Sequence, residues 1–301
     1  MRSIKDQLKT ILPGVFSILR WCKQSLMGRL IKLQKRGIIP KLEKHYKNDP
    51  EVQEIISFLK SNQIEMIPYA FKKEYDKTEL EVKIDTIDDL FVVNVNGNDI
   101  YFPKEMSVDY IRDSVRVGLV EQDDRSPHKY LPINSLHIGG DVAVLCGGSD
   151  GMYALQIVNL FKKIYLFEAN TAWIKPIKKT LKNHLDKIEI VPLFVSDKNS
   201  FNKITLDSFF SEKREEVNYI QADIEGEELK MLKGASKLIN DSSDLKLALC
   251  CYHTDQQEVE ILNFLNEHNY KVATSKGYLL MWMQYPLLPP YLRRGVLYAT
   301  R

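Results

Sequence analysis

The chain has 301 residues, of which 44% are hydrophobic and 27% are charged, an ordinary composition for a folded globular protein. This excludes a disordered or fibrous chain, and the length allows one large domain with an accessory part or two small domains. The formal net charge of +2 is unevenly divided, because residues 1–47 carry twelve Lys and Arg against two acidic side chains, a net +10, which leaves −8 for the remainder.

Residues 1–47 are predicted to form a basic amphipathic helical segment. Its longest uncharged run, residues 10–19, is shorter than the roughly 20 apolar residues that span a bilayer. Two interpretations stay open: residues 1–38 bind an anionic membrane surface peripherally, or the helix packs on the main domain with a solvated basic face. Nucleic acid is not expected as a partner, because the segment carries few aromatic residues and the rest of the chain is acidic.

The four cysteines are Cys22, Cys146, Cys250 and Cys251, and they form neither a C-x-x-C pair nor a metal-ligand spacing. Such a set is typical of reduced thiols in a cytoplasmic protein. The expected location is therefore cytoplasmic, or the inner face of the membrane if the basic segment binds lipid.

Residues 48–130 are predicted to be an accessory region of mixed α and β structure. The apolar spacing favours a helix from Pro50 to Asn62 and another from Ser107 to Leu119. Between them, residues 79–102 alternate as strands, with a hairpin turn at Asn96–Asp99. A polar, turn-forming stretch at residues 121–130 closes the region.

Residues 131–301 alternate short apolar runs with helical patterns, which predicts a doubly wound, mostly parallel sheet of the α/β class. One long helix is expected over Glu227–Ile239. The last strands follow one another without a helix, so an antiparallel hairpin is expected at one edge. The predicted strands are Val142–Cys146, Ile164–Phe167, Ile188–Pro192, Val217–Ala222, Leu245–Cys251, Tyr270–Thr274, Tyr278–Trp282 and Val296–Thr300.

A glycine-rich turn follows the first of these strands. Residues 147–151, Gly-Gly-Ser-Asp-Gly, lie between that strand and a predicted helix over Met152–Leu160. The second strand ends in Glu168, where a carboxylate can hold both hydroxyls of a ribose. Glycines let the backbone approach a ligand, and a helix N-terminus offers free N–H groups. The pattern predicts a nucleotide-binding unit, although a purely structural turn would look the same.

Polar groups follow five consecutive strands of the predicted sheet, at the ends where ligands bind in such folds. They are Gly147–Gly151, Glu168, Ser196 with Asp197, Asp223 to Gly226, and Tyr252 with His253. Each has a structural alternative: Glu168 as a surface acid, Asp223 as a helix cap and His253 as a buried core histidine. Five endings at one edge nevertheless favour a binding site.

These residues resemble an FkbM-family methyltransferase. The resemblance rests on the glycine turn, Phe-Glu-Ala-Asn at 167–170, Ala-Asp-Ile-Glu-Gly-Glu-Glu at 222–228 with Leu-Lys-Gly-Ala at 232–235, and Cys-Tyr-His at 251–253. Ser-Pro-His-Lys-Tyr at 126–130 and Pro-Tyr-Leu-Arg-Arg-Gly-Val at 290–296 are similar to a bacterial branch of the family. The resemblance implies the seven-stranded class I methyltransferase fold over residues 131–301. It also implies methyl transfer from S-adenosylmethionine to a hydroxyl, commonly on a sugar of a surface glycan or a secondary metabolite.

The resemblance also implies roles for single residues. The methionine part of the cofactor would meet Gly147, Gly148, Ser149, Asp150 and Gly151, with Glu168 on the ribose and Ser196 and Asp197 near adenine. Asp223, Glu225 and His253 would be the catalytic residues. Ser126, His128 and Tyr252 are predicted to contact the acceptor. A divalent metal held by Asp223 and Glu225 would acidify a hydroxyl, but two carboxylates two residues apart predict no metal by themselves.

Three positions depart from the family's pattern. Leu145 stands where the family usually has an acid, Gln221 where it often has Lys, and Gln257 where an acid often follows the His. Because Leu145 ends a strand, we expect it at the mouth of the site, where Leu145→Asp would strengthen cofactor binding. Two other interpretations stay open: a degenerate domain that binds without catalysis, and a nicotinamide-dependent oxidoreductase.

Overall fold

The computed structural model describes residues 37–131, 138–284 and 286–301. The chain divides into a larger unit, residues 70–279 with 293–301, and a smaller one that contains residues 37–69 and 280–292. Most of the basic segment, up to residue 36, lies outside the described residues. Its membrane contact therefore stays a prediction.

Seven strands form the main sheet of the larger unit, in the order β11–β14–β10–β9–β4–β5–β6. Neighbouring strands are parallel, except that β14 runs antiparallel to both β10 and β11. This order confirms the predicted α/β class and its mostly parallel sheet. The strands are β4 (Gly140–Cys146), β5 (Phe161–Phe167), β6 (Ile188–Val191), β9 (Val217–Ala222), β10 (Lys246–Cys250), β11 (Lys271–Thr274) and β14 (Val296–Thr300).

Helices cover both faces of the main sheet, as a doubly wound fold requires. Alternate side chains of β4 enter two apolar clusters, with Val142 and Val144 on one face and Ala143 and Leu145 on the other. One face is covered by α7 (Leu206–Phe210), α8 (Glu228–Lys233), α9 (Ser236–Asp241) and α10 (Gln257–Glu267). The other is covered by α5 (Met152–Ile157) and α6 (Thr171–Thr180).

The single helix expected over Glu227–Ile239 is wrong, because α8 and α9 are separate. The break is at Gly234, where an added Cβ would lie 2.0 Å from the carbonyl oxygen of Ser196. The two chain segments pass so closely that only glycine fits between them. The strand expected over Tyr278–Trp282 is also wrong in extent: β12 covers only Leu279–Leu280 and pairs with β13 (Leu292–Arg293) outside the main sheet.

The accessory region folds as a three-stranded antiparallel sheet and a helix. The strands are β1 (Val82–Asp85), β2 (Leu90–Val95) and β3 (Asn98–Phe102), and the helix is α4 (Val108–Glu121). The backbone N–H of Tyr101 donates to Thr180 Oγ1 in α6 at 3.0 Å, and the rings of Phe102 and Trp173 meet edge to face. Residues 70–130 of the accessory region therefore belong to the larger unit, and residues 48–69 belong to the smaller one. The domain boundaries at residues 47 and 130 stay predictions.

The remaining elements are short. They are α1 (Ile38–His45), α2 (Pro50–Ser61), α3 (Lys73–Asp76), β7 (Phe194–Val195), β8 (Lys203–Ile204) and 3-10 turns at Ala70–Lys72, Val158–Leu160 and Lys182–His184. Asp49 caps α2 by accepting from the backbone N–H groups of Glu51 and Val52. Within the described ranges, no helix combines the length and apolar character that a bilayer crossing needs.

Candidate active site

A cleft of about 810 Å³ opens at the carboxyl ends of the central strands of the larger unit. The strand-end groups predicted from the sequence meet there: the turn after β4, Glu168 after β5, Asp223 and Glu225 after β9, and Tyr252 after β10. Residues far apart along the chain are gathered because parallel strands end at the same edge of a sheet.

The glycine turn packs directly on the end of β9. Gly147 has a left-handed φ of +94°, and its N–H donates to the carbonyl of Phe167 at 3.0 Å. A Cβ at Gly147 would lie 2.2 Å from the carbonyl oxygen of Asp223. Gly151 is also left-handed, with a φ of +82°, and Asp150 accepts from the N–H of Met152 where α5 begins. The turn thus fixes the backbone of Asp223 beside the cleft.

Glu168 lies in the cleft wall, half-buried, with both carboxylate oxygens already oriented by the backbone. Oε2 accepts from the N–H of Ser149 at 3.1 Å, and Oε1 accepts from the N–H of Asn170 at 2.7 Å. Each oxygen keeps a second lone pair for a ligand. The geometry is that of a preformed acceptor for a pair of hydroxyls.

Ser196 and Asp197 do not line the cleft. Ser196 is 3% exposed, its N–H donates to the carbonyl of Ile204, and its own carbonyl faces Gly234. The preceding residues, Leu193 to Val195, reach the cleft wall instead. The close approach of Gly234 holds Ser196 away from the cleft, so the contact of Ser196 and Asp197 with adenine stays a prediction.

Asp223 is the centre of a hydrogen-bonded cluster at the inner end of the cleft. Its Oδ2 accepts from the hydroxyl of Tyr130 at 2.8 Å and lies 3.4 Å from His128 Nε2. Its Oδ1 lies 3.2 Å from His253 Nε2 and accepts weakly from the hydroxyl of Tyr252 at 3.4 Å. The side chain of Asp223 is 21% exposed, so a ligand in the cleft can still reach it.

A second carboxylate holds the other side of His253. Glu228, which is fully buried, lies 3.4 Å from His253 Nδ1. It also accepts from the N–H of Ile224 and from the amide of Gln257. Gln257 in turn accepts from the N–H of His253 at 2.8 Å. Glu228 thus fixes the ring of His253 between two acids.

Glu225 has a different position from Asp223. Its side chain is 95% exposed at the rim of the cleft, and Oε2 lies 3.9 Å from His253 Nε2. Its φ of +58° turns the chain away from β9. Of the three predicted catalytic residues, Asp223 and His253 are in contact, while Glu225 reaches the pair only from solvent.

Two of the three residues predicted to contact the acceptor are buried away from the cleft. His128 is 1% exposed and Ser126 is 6% exposed. The hydroxyl of Ser126 accepts from the N–H of His128, and His128 Nε2 lies 3.1 Å from the hydroxyl of Tyr252. Neither residue lines the cleft, because the loop turns His128 towards Asp223, so their role as acceptor contacts stays a prediction. Tyr252 does line the cleft.

The stretch that contains most of these strand ends matches a known protein family. Residues 140–272 match the model of the methyltransferase FkbM domain. This stretch is therefore similar to an FkbM methyltransferase domain. The resemblance found in the sequence is thereby confirmed, and β14, which lies beyond the matched residues, completes the sheet of the domain.

Several methyltransferases of known structure are similar to the chain at low identity. Methyltransferase FkbM from Methylobacillus flagellatus KT is 15% identical, with a TM-score of 0.48, over 88% of this chain and 59% of that one. An rRNA methylase from Streptococcus thermophilus is 14% identical over 54% and 87%, with a TM-score of 0.39. Precorrin-6y C5,15-methyltransferase from Geobacter metallireducens GS-15 is 13% identical over 67% and 95%, with a TM-score of 0.39. No curated protein matches the sequence.

Two departures from the family's pattern are neighbours in the stretch that matches the FkbM model. Leu145 on β4 and Gln221 on β9 are register partners, and each is only 2% exposed. Leu145 borders the cleft but packs in an apolar cluster, so it does not stand at the mouth as expected. An acid at 145 and a Lys at 221 would therefore stand side by side on adjacent strands. This chain has an uncharged residue at both positions, so neither position buries a charge without a partner.

The residues that line the cleft fit S-adenosylmethionine, the methyl donor that the FkbM match implies. The donor carries a sulfonium and an ammonium group, and carboxylates dominate the cleft wall. Among the described residues that line the cleft, the ionisable acids are Glu121, Asp150, Glu168, Asp223, Glu225 and Glu227, against the single cation of Lys203. Glu168 would hold the ribose hydroxyls, and the glycine turn would lie along the methionine part.

Two triads around Asp223 bring potential metal ligands within 4.8 Å of one another. One is His128, Asp223 and Cys250, and the other is Asp223, Glu228 and His253. The oxygens of Asp223 and Glu228 already accept hydrogen bonds from protein groups. These oxygens are satisfied by hydrogen bonds and by the nearby protein charges, so no metal is assigned.

The side chains of this cluster shift one another's pKa values. Burial alone would raise the pKa of Asp223, but hydrogen bonds from His128 and His253 hold it far below the usual range. Burial alone would lower the pKa of His128, but the charges of Glu121 and Asp223 raise it to about 9. Burial is likewise outweighed at His253, whose pKa is raised by Asp223 and Glu228. At neutral pH, Asp223 is therefore an anion beside the imidazolium ion of His128.

This charge state predicts a pH dependence of stability. The pKa of His128 is higher in the folded chain than the 6.5 of an unfolded one, so its contribution is complete below about pH 6.5 and is lost as the pH rises through about 9. Between pH 7 and pH 9, the unfolding free energy should fall by roughly 2 kcal/mol more in the wild type than in His128→Gln. Urea unfolding at both pH values measures this difference. His184→Gln, in the 3-10 turn at 182–184, is the control and should keep the wild-type slope; an equal slope in His128→Gln would contradict the assignment.

Sequence reasoning missed the groups that approach the cleft from outside the FkbM domain. Tyr130 and Glu121 face the acid cluster, and Tyr110, Ser114 and Val117 form one face of α4 in the cleft wall. The spacing of these three residues follows the helical period, but the opposite face of α4 is the more apolar and hides that signal. Tyr130 is the last residue of the Ser-Pro-His-Lys-Tyr motif, but the motif does not indicate that the hydroxyl of Tyr130 reaches Asp223.

Proposed function

We propose that this chain transfers a methyl group from S-adenosylmethionine to a hydroxyl of an uncharged sugar ring, as part of a glycan or a secondary metabolite. The observation that carries the proposal is Asp223, an ionised and accessible carboxylate held by four donors at the inner end of the cleft. It lies beside the glycine turn that would position the methyl donor.

The donor, when bound, supplies a methyl group that its sulfonium activates, so the protein mainly has to position the acceptor oxygen and receive its proton. Such positioning contributes about 7–11 kcal/mol in well-oriented reactions. An acceptor hydroxyl in the cleft can take the place of the Tyr252 hydroxyl, whose hydrogen bond to Oδ1 is long at 3.4 Å, and donate to that oxygen of Asp223. As the oxygen forms its bond to carbon, its proton becomes strongly acidic, so that even a carboxylate of low pKa accepts it. A positioned base of this kind typically contributes about 10²–10⁴-fold.

The charge of the cleft supports an uncharged acceptor. Carboxylates outnumber cations in its wall, and the side chain of Glu225 is 95% exposed at the rim. A phosphate or carboxylate group on the bound part of the acceptor would be repelled by these acids. Hydroxyl groups of a neutral sugar instead find many acceptor oxygens.

A transfer assay with methyl-labelled S-adenosylmethionine tests the proposal. Methyl glycosides of neutral hexoses and deoxyhexoses are compared with the corresponding sugar phosphates. The expected product is label stable to mild base, as in a methyl ether, and restricted to the neutral sugars. Asp223→Asn should lower the rate at least about 100-fold. Label that mild base releases, or transfer confined to the phosphorylated sugars, would contradict the proposed reaction.

A further inference from the structure

The loop over residues 126–130 places two buried side chains on one oxygen of Asp223. The hydroxyl of Tyr130 donates to Oδ2 at 2.8 Å, and His128 Nε2 lies 3.4 Å from the same atom. The exposed fractions of His128 and Tyr130 are 1% and 8%. His253 and Tyr252 approach the other oxygen, Oδ1. The carboxylate is therefore held from both ends.

Groups outside the acid cluster fix this loop. An added Cβ at Gly295 would lie 2.0 Å from the carbonyl oxygen of Pro127, so the loop and the residues before β14 are in tight contact. The hydroxyl of Tyr298 donates to the carbonyl of Lys129, and the N–H of Tyr130 donates to the side chain of Gln122. These contacts fix the shape of the loop independently of its contacts with Asp223.

We infer that Tyr130 and His128 are positioning residues of the transfer, which fix the Asp223 carboxylate from the Oδ2 side while His253 fixes it from the Oδ1 side. The inference rests on the proposed function. A carboxylate with donors at both oxygens cannot rotate about its terminal torsion, so the acceptor hydroxyl meets it in one orientation. The remaining charged and titratable groups near the pair are Glu121 and Cys250 beside His128, and Glu225 and Glu228 beside His253.

Tyr130→Phe tests the inference, because it removes one hydroxyl and keeps the ring in its contacts with His128 and Tyr153. Tyr219→Phe is the matched control: its hydroxyl is also buried and bonded, at 2.7 Å to the hydroxyl of Tyr153, but it does not touch Asp223. The readout is the imidazole signals of His128 and His253, followed against pH by heteronuclear NMR on the full chain. This measurement needs no acceptor.

We expect Tyr130→Phe to raise the titration midpoints of both imidazoles by about half a pH unit or more, because Asp223 loses a donor and attracts the imidazolium ions more strongly. Tyr219→Phe should leave both midpoints unchanged. Unchanged midpoints in Tyr130→Phe, or an equal shift in Tyr219→Phe, would overturn the inference. In the transfer assay, Tyr130→Phe should lower kcat about tenfold and leave KM for S-adenosylmethionine within about twofold. If Tyr130→Phe shifts both midpoints but the wild type transfers no methyl group, the proposed function is refuted, while the fixing of the Asp223 carboxylate by Tyr130 and His128 stands.

Discussion

Leu145→Asp is expected to lower the unfolding free energy by about 3–5 kcal/mol, because it places an unpaired carboxylate at a site that is 2% exposed. Adding Gln221→Lys should recover about 1.5–3 kcal/mol of that loss, since the two residues are register partners on adjacent strands and a charge-assisted hydrogen bond can form between them. The four proteins of this double-mutant cycle are compared by urea unfolding.

Leu145→Asn controls for shape in this cycle, because it has the size and polarity of Asp without its charge. Gln221→Lys should not rescue Leu145→Asn. If the double variant Leu145→Asp with Gln221→Lys is no more stable than Leu145→Asp alone, the two positions are not coupled. The missing acid at 145 and the missing Lys at 221 would then be independent of each other. The cycle therefore decides whether Leu145 marks a degenerate site or a neutral form of the same pair.

Gly147→Ala is expected to lower the unfolding free energy by more than about 4 kcal/mol and to abolish cofactor binding. The left-handed φ of +94° contributes about 1–2 kcal/mol of this loss. The larger part arises because the new Cβ would lie 2.2 Å from the carbonyl oxygen of Asp223. The backbone is held rigidly at both residues, because the N–H of Asp223 donates to the carbonyl of Cys146 at 3.0 Å. The clash can therefore be relieved only if β4 and β9 move apart.

Gly97→Ala is the matched control for the backbone strain. Gly97 has a φ of +84° in the hairpin turn, and an added Cβ there meets nothing within 4 Å. Gly97→Ala should lower the unfolding free energy only by the strain of the left-handed conformation, about 1–2 kcal/mol. Thermal unfolding of both variants, with and without S-adenosylmethionine, measures the difference. Equal melting temperatures for the two variants would show that the turn does not depend on its contact with Asp223.

The main sheet was predictable because its signals are local. Apolar runs such as Val217–Ala222, each followed by a polar residue, identify strands and their ends without any tertiary information. The gathering of Glu168, Asp223 and Tyr252 at one edge then follows from parallel topology alone. The family's motifs added the expected cofactor and the chemistry of the site.

The parts that the sequence could not supply depend on contacts between distant residues. Nothing local distinguishes a His128 that contacts the acceptor from one that contacts Asp223, since the loop's course is set by Gly295. Ser196 has the right place after a strand, but the approach of Gly234 buries it. The pairing of Leu145 with Gln221 requires the register between β4 and β9, which local patterns do not fix.

Calorimetric titration of the full chain with S-adenosylmethionine, with NAD as the comparison, tests the central claim most directly. We predict saturable binding of S-adenosylmethionine, no binding of NAD at the same concentrations, and an affinity for S-adenosylmethionine at least about tenfold weaker in Glu168→Ala, which loses the charged acceptor for the ribose. Binding of NAD in place of S-adenosylmethionine would favour the oxidoreductase interpretation. Binding of neither ligand, by a protein that melts cooperatively, would contradict the methyltransferase account and leave a degenerate domain.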